Sequence, residues 1–182
     1  MYWLSDKFIW IPLYLLFVYL MIRSYRWRAV IVLLFAGALV TMSDQISVHF
    51  FKEVFERLRP CHDPEIGHLV HLVKDKCGGR YSFVSSHATN HFAIAVFLAL
   101  VLGKKYRFFT PLILFWAAIV AYSRVYLGVH YPADIVVGAL VGAILGWVMG
   151  RLCLVILTGS APHPLAPSPQ GEGEKGARGL RG

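Results

Sequence analysis

Five long apolar runs dominate this chain: Phe8 to Ile22, Ala29 to Val48, Phe83 to Leu102, Phe108 to Tyr122 and Ile135 to Leu157. A helix needs about 20 mostly apolar residues to cross the hydrocarbon core of a bilayer, with roughly 17 the usual lower limit. The second, third and fifth runs reach that length. The first and fourth reach it once Trp3-Leu4 and Val125-Tyr126 are included. Of 182 residues 57% are hydrophobic and 15% charged, against about a quarter charged in ordinary soluble domains. In lipid every backbone polar group must be satisfied within the segment, which leaves helices as the natural form for such runs. We therefore expect an all-α, polytopic membrane bundle of about five transmembrane helices occupying residues 1–157. The first run lacks a basic start, and Arg23, Arg26 and Arg28 follow it in place of a small-residue cleavage site. It reads as a retained helix, not a secretory signal.

A formal charge of +8 raises the question of a nucleic-acid partner, but the charges are distributed otherwise. Arg23, Arg26 and Arg28 lie between the first two runs, Lys104, Lys105 and Arg107 between the third and fourth, and Arg151 near the end of the fifth. Short loops rich in Lys and Arg stay cytoplasmic, and five crossings put all three positions on one side. We expect no nucleic-acid partner, an integral-membrane location, and an extracytoplasmic Lys52–Ser82 loop and Arg124–Asp134 turn. From Thr158 the chain turns to Gly, Pro, Ser and charge. Such a segment buries too little apolar surface to offset its ordering entropy, so residues 158–182 are expected to form a disordered tail.

Two further features bear on packing. Gly138, Gly142, Gly146 and Gly150 recur every fourth residue along the fifth run, a small-residue face that lets another helix approach closely. It serves either an internal helix pair or a homo-oligomer seam between two copies. Cys61 and Cys77 flank the external loop. They read either as a disulfide, which an oxidising compartment favours, or as two free thiols.

Ionisable groups are costly in a membrane, so clusters of them at helix ends point to function. Lys52 and Arg59 follow the second run and are seven residues apart, a spacing that puts them on one face of a continuing helix. Pro60 marks the expected stop. Two aligned cations suit an oxyanion such as phosphate. Ser85, Ser86 and His87 open the third run, where free N–H groups favour an anion; an N-cap serine with an interfacial histidine is the plainer reading. Between the last two runs, Ser123-Arg124 is followed by Gly128 for a tight turn, His130, Pro132 and Asp134. Asp134 lies one turn beyond His130 and can accept its N–H, fixing the tautomer as in catalytic triads.

In this order, K-x6-R-P, S-x-H and S-R-x5-H-x3-D resemble the three-part signature of the type 2 phosphatidic acid phosphatase family, which includes vanadium haloperoxidases and bacterial acid phosphatases. The first and third motifs match throughout. In the middle one, Val84-Ser85-Ser86-His87 stands where the family has Pro-Ser-Gly-His. The resemblance implies a lipid phosphatase with His130 as nucleophile forming a phosphohistidine, Asp134 orienting it, and His87 as general acid and then base. It implies that Lys52, Arg59, Ser85, Ser86 and Arg124 bind the phosphate. Three fixed cations then stand in for magnesium, with no metal and no cofactor required. The membrane and a lipid phosphate are the expected partners.

Among family substrates, an outward-facing site favours undecaprenyl diphosphate; phosphatidylglycerophosphate, phosphatidic acid and lipid A phosphates are the alternatives. The loop from His62 to His71 contains His and carboxylate ligand types for a metal but follows no closed spacing, so it reads as a solvated loop. A transporter would place polar groups near the midplane in broken or repeated helices, and no such repeat occurs. A silent lipid-binding relative is the remaining alternative; phosphate release from a lipid, inhibited by vanadate, separates it from an enzyme.

Overall fold

The structure, a computed structural model, describes Trp3, residues 7–73 and residues 77–159. The first helical stretch begins with a 3-10 turn, Lys7–Trp10, and continues as α1 (Ile11–Tyr25), with proline in its first turn. Pro is tolerated there because that N–H has no intrahelical partner. At Arg26 the backbone takes φ 54°, ψ −127°, and after the 3-10 turn Arg26–Arg28 the chain resumes as α2 (Ala29–Gln45), packed against α1. Beyond Gln45 the helix widens into a π-helical segment, Ile46–Lys52, and closes as the short α3 (Glu53–Phe55). Left-handed Glu56 (φ 45°) ends it.

The segment between α3 and the next long helix is irregular. It has 3-10 turns at Pro60–His62 and Gly67–Leu69 and one isolated antiparallel bridge between Leu58 and Tyr81. Among the described residues there is no β-strand. A Cys61–Cys77 disulfide (Cα–Cα 6.1 Å) closes the loop, so of the two readings the bonded pair is the one found. Three more helices follow: α4 (Ser86–Leu102), α5 (Phe109–Tyr126) and α6 (Pro132–Gly159). The last runs through Thr158 and Gly159, and the rest of the expected tail lies outside the described residues.

Phe8–Phe55, Phe109–Tyr126 and Pro132–Gly159 are long and apolar enough to cross a membrane, and Ser86–Leu102 is a shorter apolar helix. The first two apolar runs form α1 and α2, which the backbone break at Arg26 separates within that first helical stretch. Large side chains point outward along α6 at Val136, Leu140, Ile144 and Val155, as lipid-facing positions require. The opposite face holds the buried glycines. A Cβ added at Gly142 would lie 2.1 Å from Thr89 O and one at Gly146 2.2 Å from Ala93 O, both on α4. The stripe thus serves the internal pair α4–α6. Without a hydrophobic drive in lipid, such backbone approach and interhelical hydrogen bonds hold helices together. Ser43 Oγ donates to Asn90 Oδ1 at 2.6 Å and Asn90 Nδ2 to Asp44 Oδ1 at 3.3 Å, joining α2 to α4. Each such bond contributes about 0.6 kcal/mol.

The bundle has two chemically different ends. At one, Tyr25 OH donates to Val101 O at 2.5 Å and Arg28 Nη1 to Leu157 O at 3.1 Å. These contacts gather the arginine-rich corner, the end of α4 and the end of α6. The other end carries the residues considered next.

Candidate active site

Lys52 closes the π-helical segment. One extra residue per turn is a local irregularity found mostly at functional sites. The expected shared helix face of Lys52 and Arg59 is not formed. Glu56 breaks the helix, and Arg59 lies in extended backbone (φ −69°, ψ 153°). The two cations reach one place from different local structures. Arg59 is buried and held by carbonyls: Nη1 donates to Cys77 O at 3.0 Å and Nε to Tyr81 O at 3.3 Å. The approach needs glycine at position 78, whose φ is +88° and whose added Cβ would sit 3.1 Å from Arg59 Nη1.

Ser85 caps α4, its hydroxyl accepting from Ala88 N at 3.5 Å, and its own N–H donates to Asp134 O at 3.1 Å. The first turns of α4 and α6 are therefore joined through main chain. Ser86, the residue at the family's glycine position, has a side-chain function: its hydroxyl accepts from Lys52 Nζ at 2.8 Å and is 2.7 Å from Ser47 Oγ. His87, half-buried, follows on the same turn. One turn deeper, His91 donates from Nδ1 to His87 O at 2.8 Å, and its ring lies 5.0 Å from that of Trp116. His91 is thus tied to the His87 backbone and packs against α5.

Arg124 lies in the last turn of α5 and Ser123 Oγ donates to Val120 O of the same helix. Gly128 (φ +71°) then reverses the chain beneath Val70 and His71; a Cβ there would lie 2.6 Å from Val70 Cγ1. His130 is 3% exposed and Asp134 fully buried. Their Nδ1–Oδ2 distance is 3.4 Å, while Tyr131 N donates to the same oxygen at 2.9 Å. Such long contacts are common before substrate binds. Burial pushes the His130 imidazole down to about 4, against the opposing pull of Asp134, and Arg59 and Arg124 add to the depression.

These groups share one electrostatic environment. His87 lies in the field of Arg124, His91, His130 and Lys52. Arg59 and Arg124 act on Lys52 and on His130. The two imidazoles, three cations, two serines and one carboxylate expected from the motifs therefore converge at the end of the bundle opposite the arginine corner. Such a cluster can hold a tetrahedral anion and move a proton beside it. The site also contains a residue not anticipated: Arg57 Nη1 donates to Asp134 Oδ1 at 3.2 Å. Its signal was the alternation of Arg57, Leu58 and Arg59, which puts both arginines on one side of extended backbone. A helical reading of the segment hid it.

Histidines 62, 68 and 71 are exposed in the loop between α3 and α4. Among the described residues, the grouping of three candidate metal ligands is Cys61, His62 and Cys77, whose two sulfurs are bonded to each other.

Comparison with known proteins places the site in context. Residues 27–155 match the profile of the PAP2 superfamily. A lipid A 4'-phosphatase of Bacteroides thetaiotaomicron is 38% identical over 147 residues, 79% of this chain and 64% of that protein. A lipid A 4'-phosphatase of Porphyromonas gingivalis is 35% identical over 91% of this chain and 72% of its own length. This chain thus spans about two thirds of the length of these relatives. Among solved structures, a transmembrane PAP2-type phosphatidylglycerolphosphate phosphatase from Bacillus subtilis superposes with a TM-score of 0.52 at 27% identity, covering 88% of this chain and 75% of that one.

Proposed function

The chain belongs to the PAP2 superfamily, and from that premise we propose that this integral membrane protein is a phosphatase that removes a phosphate monoester from a lipid A-type glycolipid. The observation that supports it most is the convergence of His87 and His130 with Lys52, Arg59 and Arg124. His130 attacks phosphorus in line through Nε2, while Asp134 holds Nδ1–H. The P–O bond to the sugar breaks as His87 protonates the departing oxygen, leaving a phosphohistidine. His87 then takes a proton from water, which attacks phosphorus and releases inorganic phosphate. The cations neutralise the non-bridging oxygens, the main protein contribution to phosphoryl transfer. Lys52 is positioned for this by Ser86, and Arg59 by the loop carbonyls. Because three fixed charges do this work, turnover needs no metal and persists in a chelator.

The glycolipid is preferred because two relatives at 35–38% identity are lipid A 4'-phosphatases. Undecaprenyl diphosphate, expected from topology, has only the outward orientation behind it; the Bacillus structure gives phosphatidylglycerophosphate the better claim to second place. The site faces out of the cytoplasm in the inner membrane. Support comes from the basic corner at the opposite end, which short loops keep inside, and from the disulfide beside the site, a bond of oxidising compartments.

The test is phosphate release by purified protein in detergent micelles, with EDTA, from lipid A, phosphatidylglycerophosphate and undecaprenyl diphosphate. Lipid A is expected to give the highest kcat/KM, a product one phosphate lighter by mass spectrometry, and inhibition by vanadate. Turnover of the other lipids with lipid A untouched overturns the substrate; release only after metal addition overturns the metal-free mechanism.

A further inference from the structure

We propose that Arg57 is a positioning residue of the phosphatase site, supplying the countercharge to the buried Asp134 carboxylate that orients His130. The inference rests on the reading of His130 as nucleophile and extends it to an unspecified position within the first motif, between Lys52 and Arg59. Asp134 is fully buried, and a buried carboxylate is tolerated only with compensating charge and hydrogen bonds. A neutral imidazole supplies a hydrogen bond and no charge. Arg57 supplies the charge: Nη1 lies 3.2 Å from Oδ1, the oxygen not facing His130.

The guanidinium is fixed from several sides. Its carbon lies 4.0 Å from the centre of the Tyr131 ring, a cation–π distance. Tyr131 OH donates to Asp63 Oδ2 at 3.0 Å. Asp63 Oδ1 in turn accepts from the amides of Glu65 and Ile66, and these bonds hold its carboxyl below the usual range. The Arg57 backbone carbonyl accepts from Ser82 N at 2.8 Å, just ahead of α4. The cation is thus built into the external loop and aimed at the carboxylate.

The consequence is a proton inventory. His130 faces Asp134 on its own segment, Arg59 from the external loop, Arg124 from α5 and His87 from α4. Asp134 faces Arg57, Arg59 and Tyr131 as well as His130. With Arg57 in place, the carboxylate is paired by a cation and the imidazole stays free to attack. Without it, the imidazole faces a carboxylate that has lost its partner cation at Oδ1, and so holds its proton to higher pH.

The experiment is the pH dependence of kcat/KM on lipid A in micelles for wild type, Arg57→Ala, Arg57→Lys and His130→Ala. A parallel titration of carbon-13-labelled histidine by NMR reports His130 even where a variant is inactive. Arg57→Ala is expected to move the acidic limb, and the His130 titration, upward by about half to one pH unit. Arg57→Lys keeps the charge and restores the wild-type position. A limb and titration unmoved in Arg57→Ala overturn the proposal and assign Arg57 to loop structure alone. A His130→Ala variant that still releases phosphate overturns instead the reading of the nucleophile, which the wild-type comparison identifies separately.

Discussion

His130 is where burial and catalysis pull on the same proton. Its imidazole is pushed down to about 4 by burial, so it is neutral throughout mildly acidic and neutral pH, as the proposed nucleophile must be. The same shift is a stability statement. The unfolded histidine, near 6.5, takes a proton first. Its contribution is therefore present above about 6.5 and lost as pH falls from there to about 4, by roughly 3 kcal/mol in total. Thermal unfolding in detergent between pH 4 and 8 should show this slope in wild type and a flatter one in His130→Gln. On activity, His130→Ala should lower phosphate release by roughly 1000-fold or more, as loss of a nucleophile does elsewhere. The pairing of His130 with Asp134 was legible because it depends only on a four-residue spacing across the start of a helix. Ser86 was legible as a site residue, but its tie to Lys52 was not. Seen in the chain, it is a hydroxyl at a glycine position; its hydrogen bond depends on how α2 ends, which no residue of α4 reports.

Helices were legible wherever apolar length decided them, and less so where a helix departs from the α form. The widening at Ile46–Lys52 and the left-handed stop at Glu56 have no strong residue signature, since neither glycine nor proline occurs between Ile46 and Arg59. Continuing the helix to Pro60 was the natural expectation, and tertiary contacts to Ser82 and Tyr81 override it. The glycine stripe was legible as a face, but its partner was fixed only by the fold. Gly142→Ala should separate α4 from α6, costing about 1–3 kcal/mol by overpacking, and reduce activity with it, because both helices begin at the site. Val136→Ala, on the lipid side, should leave both near wild type. The external loop gives a parallel case. Its disulfide has a sequence separation of 16, and closing a loop near that size limits its unanchored states by about 3 kcal/mol. Reduction should loosen the Cys77 carbonyl that holds Arg59 and raise KM several-fold. Gly78→Ala, which crowds the same guanidinium, should shift KM in that direction with the disulfide intact.

Across the whole molecule, charge segregates along the bundle axis. The arginine corner and the converging site lie at opposite ends, an arrangement readable from loop composition alone because the positive-inside bias needs no tertiary detail. A cysteine introduced at Ile66, in the external loop, should react with a membrane-impermeant maleimide on intact cells. One at Lys104 should react only after the membrane is opened; the reverse pattern inverts the proposed orientation. The glycine seam has a consequence at this scale. His87 rides at the head of α4 and His130 just ahead of α6, and α4 and α6 touch backbone to backbone. The two imidazoles consequently behave as one jaw of fixed gauge, whereas Lys52 and Arg124 hang from separate helices. On the proposed reading, breathing that admits a bulky sugar comes from the cationic side, leaving the spacing of His87 and His130 the same for every lipid that enters.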